Sequence, residues 1–330
     1  MTYLRYLRSI LTGFLLGCII FLLVVFYQIG APTETSRWID EIYTIKSSIA
    51  NSIKTPKLVV VAGSNVLFGI SCQMINEATE LPCVNAGTHA GLGLDYILNR
   101  VHSLVKPGDI VLLSLEYELY QDNGIPSVQL IDYVFSRDPK YLLAVDFIKQ
   151  TYFITWISYD RLGIGIAAKL KPPQPLTVGY QSQNLNRYGD ETSNLKSNLT
   201  EIQKEMLEQS KPLKADVNIV TGYAKQSIRN FIKWCGNKQI KVLVTWPGTI
   251  WFETYREKKK LDFFDSLEYF YRQQDISILG KPIDFMYNKS MFYDTSYHLN
   301  QQGVHQRTQQ VINLLRPYLE NKKREGLDKN

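Results

Sequence analysis

Apolar positions along this chain change their spacing repeatedly, and each change marks a different kind of element. From Ile10 to Ile29 the residues are apolar or small, broken only by Thr12, Gly13, Gly17, Tyr27 and Gln28. A run of about twenty such residues crosses a ~30 Å hydrocarbon core as a helix. The stretch 32–56 is polar, with Trp38, Ile39, Ile42, Ile45 and Ile49 recurring near helical spacing, so it reads as a partly helical stalk. Short, mainly apolar runs of strand length follow, from Leu58 to Ala62, from Pro82 to Ala86 and from Ile110 to Leu115. Helical spacing fills the gaps, from about Leu67 to Ala78 and from Leu94 to Leu104. The alternation stops at Gln121 and resumes near Val217. A helix from Val220 to Cys235 then leads to a strand from Lys241 to Thr245 and a helix from Trp251 to Gln273. A short strand, Ile276 to Leu279, and a closing helix, Gln301 to Leu319, complete the pattern.

Strands that are apolar at every position are buried on both faces, which happens in parallel sheets covered by helices. The expected fold is therefore α/β over 57–320, a parallel sheet with helices on both faces. An anchor at 1–31 and the stalk precede it, and a basic tail at 321–330 follows. The segment 121–214 reads as an insertion. It has an aromatic-rich part (Tyr133, Phe135, Tyr141, Phe147, Tyr152, Trp156) and a polar part beginning at Lys171-Pro172-Pro173-Gln174-Pro175. It is either a lid or membrane-facing surface near the cleft, or a helical subdomain with its own small core.

Composition narrows the class. The 330 residues are 45% hydrophobic and 21% charged, ordinary for a globular domain of this size. The net charge of +6 comes partly from Arg5, Arg8 and Lys322-Lys323-Arg324. The internal run Arg256-Glu257-Lys258-Lys259-Lys260 is interrupted by an acid and reads as a solvated helix face, so no nucleic-acid partner is expected. Arg5 and Arg8 precede the apolar run and the next basic residue is Arg37. By the positive-inside rule the N-terminus is cytoplasmic and the main domain extracytoplasmic. The long apolar core and the sequence Ile29-Gly30-Ala31 favour a retained anchor over a cleaved signal peptide. Of four cysteines, Cys18 lies in the span and Cys235 on a helix. Cys72 and Cys83 are near enough to form a disulfide in an oxidising compartment, or else remain two buried thiols. No Cys/His spacing points to a metal, and nothing calls for a cofactor.

The candidate chemistry sits at strand ends, where parallel sheets bind ligands. Leu58-Val59-Val60-Val61-Ala62-Gly63-Ser64-Asn65 places a serine hydroxyl where a buried strand turns into a helix. Phe292-Tyr293-Asp294-Thr295-Ser296-Tyr297-His298-Leu299-Asn300 supplies an acid and an imidazole close together. Serine, acid and imidazole are the parts of an activated acyl-transfer nucleophile. The amides of Ser64 or Asn65 and of Gly87 are placed to hold an oxyanion; a plain helix cap is the alternative for Ser64 and Asn65. His89 is a reserve base or substrate contact. Glu116 and Glu118 end the third strand on one face and either bind a hydroxyl-bearing substrate or stabilise the following loop. Asn186-Arg187-Tyr188-Gly189-Asp190 has the composition of a turn and is polar enough to touch a glycan.

Gly63-Ser64-Asn65, then Asn85-Ala86-Gly87, then Asp294 and His298 with Leu299-Asn300, resemble the SGNH/GDSL hydrolase superfamily. The closest resemblance is to membrane-anchored extracytoplasmic members similar to the D-alanyl transfer protein of teichoic acid modification and to polysaccharide O-acetylation proteins. It implies a three-layer flavodoxin-like sheet, with Ser64 as nucleophile, His298 as base, Asp294 as its orienting acid and Gly87 as an oxyanion amide. It also implies a cell-surface glycan or polymer substrate and an integral-membrane acyl donor as partner. Two features depart from the pattern. The third strand runs Leu112-Leu113-Ser114-Leu115-Glu116-Tyr117 without the family's Asn, and the acid precedes the histidine by four residues, where three is usual. The missing Asn shifts weight from free hydrolase toward transferase.

Overall fold

The computed structural model describes residues 2–171, 180–214 and 220–327; the proline-rich start of the polar insertion segment lies outside them. Helix α1 (Thr2–Tyr27) and helix α2 (Glu34–Ser52) open the chain. Strand β1 (Leu58–Val61), α3 (Ser64–Leu67), α4 (Cys72–Thr79), β2 (Cys83–Asn85), α5 (Leu94–Val101) and β3 (Ile110–Leu113) follow. Next come α6 (Val128–Ser136), α7 (Tyr141–Ala144), α8 (Phe147–Thr155), α9 (Tyr159–Leu170) and α10 (Glu201–Glu208). The chain closes with α11 (Gly222–Asn237), β4 (Lys241–Val244), β5 (Thr249–Ile250), α12 (Lys258–Arg272), β6 (Ser277–Ile278), β7 (Met286–Tyr287) and α13 (Gln301–Leu327). Two compact units result: Met1–Asp40 with Ile125–Gln181, and Glu41–Gly124 with Ser182–Asn330. The stretch expected as one insertion is thus divided, 125–181 grouping with the N-terminal helix and 182–214 with the sheet.

The sheet unit is built on five parallel strands in the order β2-β1-β3-β4-β6. Every residue of β1 and β3 is buried, as unbroken Val/Ile/Leu runs require. Each such side chain stabilises the fold by about 1.5–3 kcal/mol on burial. β2 and β3 both lie beside β1, so the winding reverses there and opens a crevice at the carboxyl ends of β1 and β3. Right-handed crossovers place α4 on one face and α5, α11 and α12 on the other. The packing agrees: α13 lies against α4, and α11 against α5.

Two local differences from the sequence pattern have physical causes. The helix expected from Leu67 to Ala78 is broken after Leu67, and Ser71 starts a new helix by accepting from the Met74 amide (3.2 Å). The small parallel pair β5–β7 was not expected, because two-residue strands are too short to show a period.

The helical unit is organised around the end of α1, a helix long and apolar enough to cross a membrane. α1 packs on α9. At its end the buried Gln28 Oε1 accepts from the Arg161 guanidinium (2.7 Å), which pairs with Asp132 (2.5 Å). Asp132 in turn accepts from Thr33 (2.9 Å). A Cβ at Gly165 would lie 2.3 Å from Gln28 Oε1 and from the Arg161 guanidinium, so a larger residue there would have to displace this hydrogen-bonded pair.

Candidate functional site

The turns after β1 and β2 interlock through glycines. A Cβ on Gly63 would lie 2.6 Å from the Ala90 backbone, and one on Gly87 2.3 Å from the Leu67 amide nitrogen. This contact sets Ser64 beside the loop that carries His89. Ser64 is half-buried, and among the described residues neither its hydroxyl nor its amide N–H has a hydrogen-bond partner.

Glu116, fully buried after β3, fixes the serine turn. Its carboxylate accepts from the amides of Gly63 (3.0 Å) and Asn65 (2.9 Å). Asn65 is held on every side: its side-chain amide donates to the Ser114 carbonyl (2.8 Å), and Arg307 donates to both its backbone O and its Oδ1 (2.9 Å each). Arg307 also donates to Ser114 Oγ (2.7 Å) and to the Trp246 carbonyl (3.0 Å). Complete burial pushes the Arg307 pKa down to about 10, against the opposing pull of Tyr287 and Glu116.

Two expected oxyanion donors are therefore corrected. The Asn65 amide is spent on Glu116, and the Gly87 amide donates to Asn85 Oδ1 (3.0 Å). Glu116 is likewise a cap on the serine turn, since both carboxylate oxygens face buried amides, and it does not present a substrate contact. Glu118 accepts from the Tyr297 hydroxyl (2.7 Å). Glu118 itself is exposed, so this bond lies at the surface of the loop.

His298 and Asp294 meet: Nδ1 and Oδ1 are 2.7 Å apart and both residues are buried. A carboxylate oxygen only accepts, so the imidazole donates this bond from Nδ1. The four-residue spacing works because the loop closes on itself. The Tyr293 amide donates to the His298 carbonyl (2.7 Å), the His298 amide donates to Thr295 Oγ1 (3.1 Å), and Phe292 bridges Leu299. The imidazole stacks on Phe68, with centroids 4.3 Å apart and planes at 20°. Phe68 stands one helical turn after Ser64, whose carbonyl accepts its amide (2.9 Å). The stack thus brings the acid–imidazole pair to the serine turn, and the structure forms no Ser64–His298 hydrogen bond. His89 Nδ1 accepts from the Gly91 amide (2.9 Å), which fits a turn cap better than a base. Its pKa is lowered, first by burial and then by nearby His298.

Sequence reasoning missed two charged residues. Lys46 of α2 is fully buried, and its ammonium donates to Asn85 Oδ1 (3.3 Å) and to the Gly87 carbonyl. Burial lowers its pKa to about 7, while Asp190 and Glu191 pull the other way. Arg307 sits among the buried positions of α13 with Thr308, Val311 and Ile312. The available signal was the same for both: a cation on the apolar stripe of an amphipathic helix. The loop Asn186 to Asp190 turns out to be a cap, with Asp190 accepting from the amides of Cys72 (2.8 Å) and Gln73 (3.0 Å). Beside it, Cys72 and Cys83 are joined as a disulfide across a 5.0 Å Cα separation.

No family model matches the chain, and no curated protein matches it. Among solved structures, the crystal structure of protein YxiM from Bacillus subtilis is similar at 11% identity with a TM-score of 0.36. The match covers 80% of this chain and 57% of that one, so the chain spans less than two thirds of that neighbour's length.

Proposed function

We propose that this chain is a membrane-tethered serine acyltransferase or esterase of the SGNH/GDSL type. Its sheet unit faces the outside of the membrane and works on O-acyl groups of a cell-surface glycan or polymer. The observation that carries the reading is the buried Asp294–His298 pair, 2.7 Å apart, stacked on the residue one turn beyond Ser64. The strand order 2-1-3-4-5 of the main sheet, counted in chain order, is that of flavodoxin-like folds and supports the same assignment.

In this reading Ser64 Oγ attacks the ester carbonyl carbon while His298 Nε2 takes its proton. Asp294 holds the Nδ1–H tautomer and stabilises the imidazolium. The Ser64 amide supplies a donor to the developing oxyanion. The C–O bond to the leaving alcohol breaks, and the alcohol takes the proton from His298. A sugar hydroxyl or water then attacks the acyl-Ser64 carbonyl while His298 takes its proton; the bond to Ser64 Oγ breaks, and His298 returns the proton to Oγ. If the acceptor is a polymer, the natural donor is an integral-membrane acyl carrier, reached through the α1 tether.

A second reading is favoured by a specific observation: the Asn65 and Gly87 amides are already engaged and Ser64 makes no bond to His298. On that reading the chain is a non-catalytic glycan-binding or assembly protein of the same fold. Fluorophosphonate labelling of the full chain in micelles separates the two. The catalytic reading expects one adduct, on Ser64, lost in Ser64→Ala and slowed by about 10²–10⁴ in His298→Ala. Absence of any adduct in folded protein moves the assignment to the binding module.

A further inference from the structure

We propose that helices α7–α9 lie in the outer leaflet of the membrane beside α1, so that the helical unit is a lipid-immersed platform. The proposal rests on the reading that α1 spans the bilayer. Arg5 and Arg8 mark its cytoplasmic edge, and the apolar run from Ile10 to Ile29 matches a ~30 Å core at 1.5 Å per residue. Val25, Phe26 and Ile29 then sit within the last turn or two of that core. A groove of about 380 Å³ is lined by these three residues together with Phe135, Leu142, Leu143 and Ile154. Residues that share a groove share a depth, so α7 and α8 meet the acyl region where α1 leaves it.

The surface of the unit suits that depth. Leu143 (85% exposed), Phe147 (76%), Ile148, Trp156, Tyr159 (87%) and Leu170 are all turned outward. In water such a concentration of large apolar side chains within one short segment is unfavourable, and a lipid surface removes the cost. Trp and Tyr belong at the headgroup level, where an apolar ring and a polar edge are both satisfied. Exposed lysines complete the arrangement: Lys140 lines the groove, and Lys169 reaches over the Tyr27 ring (5.9 Å). Long cationic side chains of this kind place their charge among the headgroups while their stems stay apolar.

The test uses the full chain with Cys18→Ala, reconstituted in vesicles of phosphatidylcholine and phosphatidylglycerol. Buried Cys235, whose thiol pKa is pushed up to about 12, stays unlabelled. Single nitroxides are placed at Leu143→Cys and Phe147→Cys, at Phe14→Cys in α1, and at Ile202→Cys on the sheet unit. All four positions are exposed, so the labels disturb no core. Collision with oxygen and with a water-soluble nickel chelate reads their surroundings. The expected result is loss of nickel access at 143 and 147, matching Phe14 and unlike Ile202. Nickel access at 143 and 147 with none at Phe14 overturns the platform and leaves the anchor standing. Nickel access at Phe14 overturns the anchor and the platform with it. Protection of 143 and 147 from both reagents means that protein covers the face, and also overturns the proposal.

Discussion

Replacing Arg307 by methionine removes the one side chain that ties the serine turn to two strands and a loop. Arg307 makes four hydrogen bonds, to Asn65 O, Asn65 Oδ1, Ser114 Oγ and the Trp246 carbonyl, and is fully buried. Ser114 Oγ can rotate to another acceptor, but the three carbonyl-type oxygens cannot. Each buried oxygen left unpaired costs about 1–3 kcal/mol. Relief of the buried cation's own desolvation offsets part of that, leaving a net loss of about 3–5 kcal/mol, as when other buried charged networks are broken. For a unit of this size that is a fall in Tm of about 6–20 °C. Arg307→Lys keeps the charge but reaches fewer acceptors, so its Tm should lie between the two. Thermal unfolding of the full chain in micelles, followed by tryptophan fluorescence, measures the shift, since Trp246 lies in the network. A Tm for Arg307→Met within about 2 °C of wild type would refute the argument that these bonds hold the turn.

Other outcomes follow from the same geometry. Gly69→Ala places a Cβ 2.2 Å from the Asn65 carbonyl oxygen and 2.4 Å from the Arg307 guanidinium, so it should destabilise by at least about 2 kcal/mol in urea titration. Asp294→Asn should leave the fold intact and slow fluorophosphonate labelling of Ser64 by about 10²–10⁴, because Nδ1 loses the carboxylate that fixes its proton. Lys46 has a folded pKa of about 7 against an ordinary 10.5, so the unfolded chain binds the extra proton between those values. Its contribution to stability is therefore worst below about pH 7 and improves as pH rises toward 10.5, by up to about 1.4 kcal/mol per pH unit. Lys46→Met should remove that rising limb from the urea midpoint measured across the window, and an unchanged limb would place the titration elsewhere.

The sheet was legible because its two central strands, β1 and β3, are short runs of Val, Ile and Leu with no polar position, a pattern that two-sided burial produces. The serine turn and the acid–histidine loop were legible from their places after the first strand and before the last helix. Roles within the site were less so. Glu116, Asn65 and Gly87 are each compatible with substrate or oxyanion contact by residue type, and only the hydrogen bonds show that they hold one another. Lys46 and Arg307 were hidden because a buried cation carries no local signature; it is visible only as a charge at a core position of a helix. The four-residue acid-to-histidine spacing looked like a departure, and the loop's own backbone bonds make it work.

The Arg307–Asn65 contact joins residues 242 positions apart. Non-local contacts form late, after the entropy of closing the intervening chain has been met. The serine turn therefore takes its final shape only when the last helix docks against the sheet. A chain emerging N-terminus first carries Ser64 and Glu116 long before it carries Arg307, and through that interval the turn lacks the guanidinium part of its frame. Final shaping of the serine turn is in this way timed by the synthesis and docking of α13.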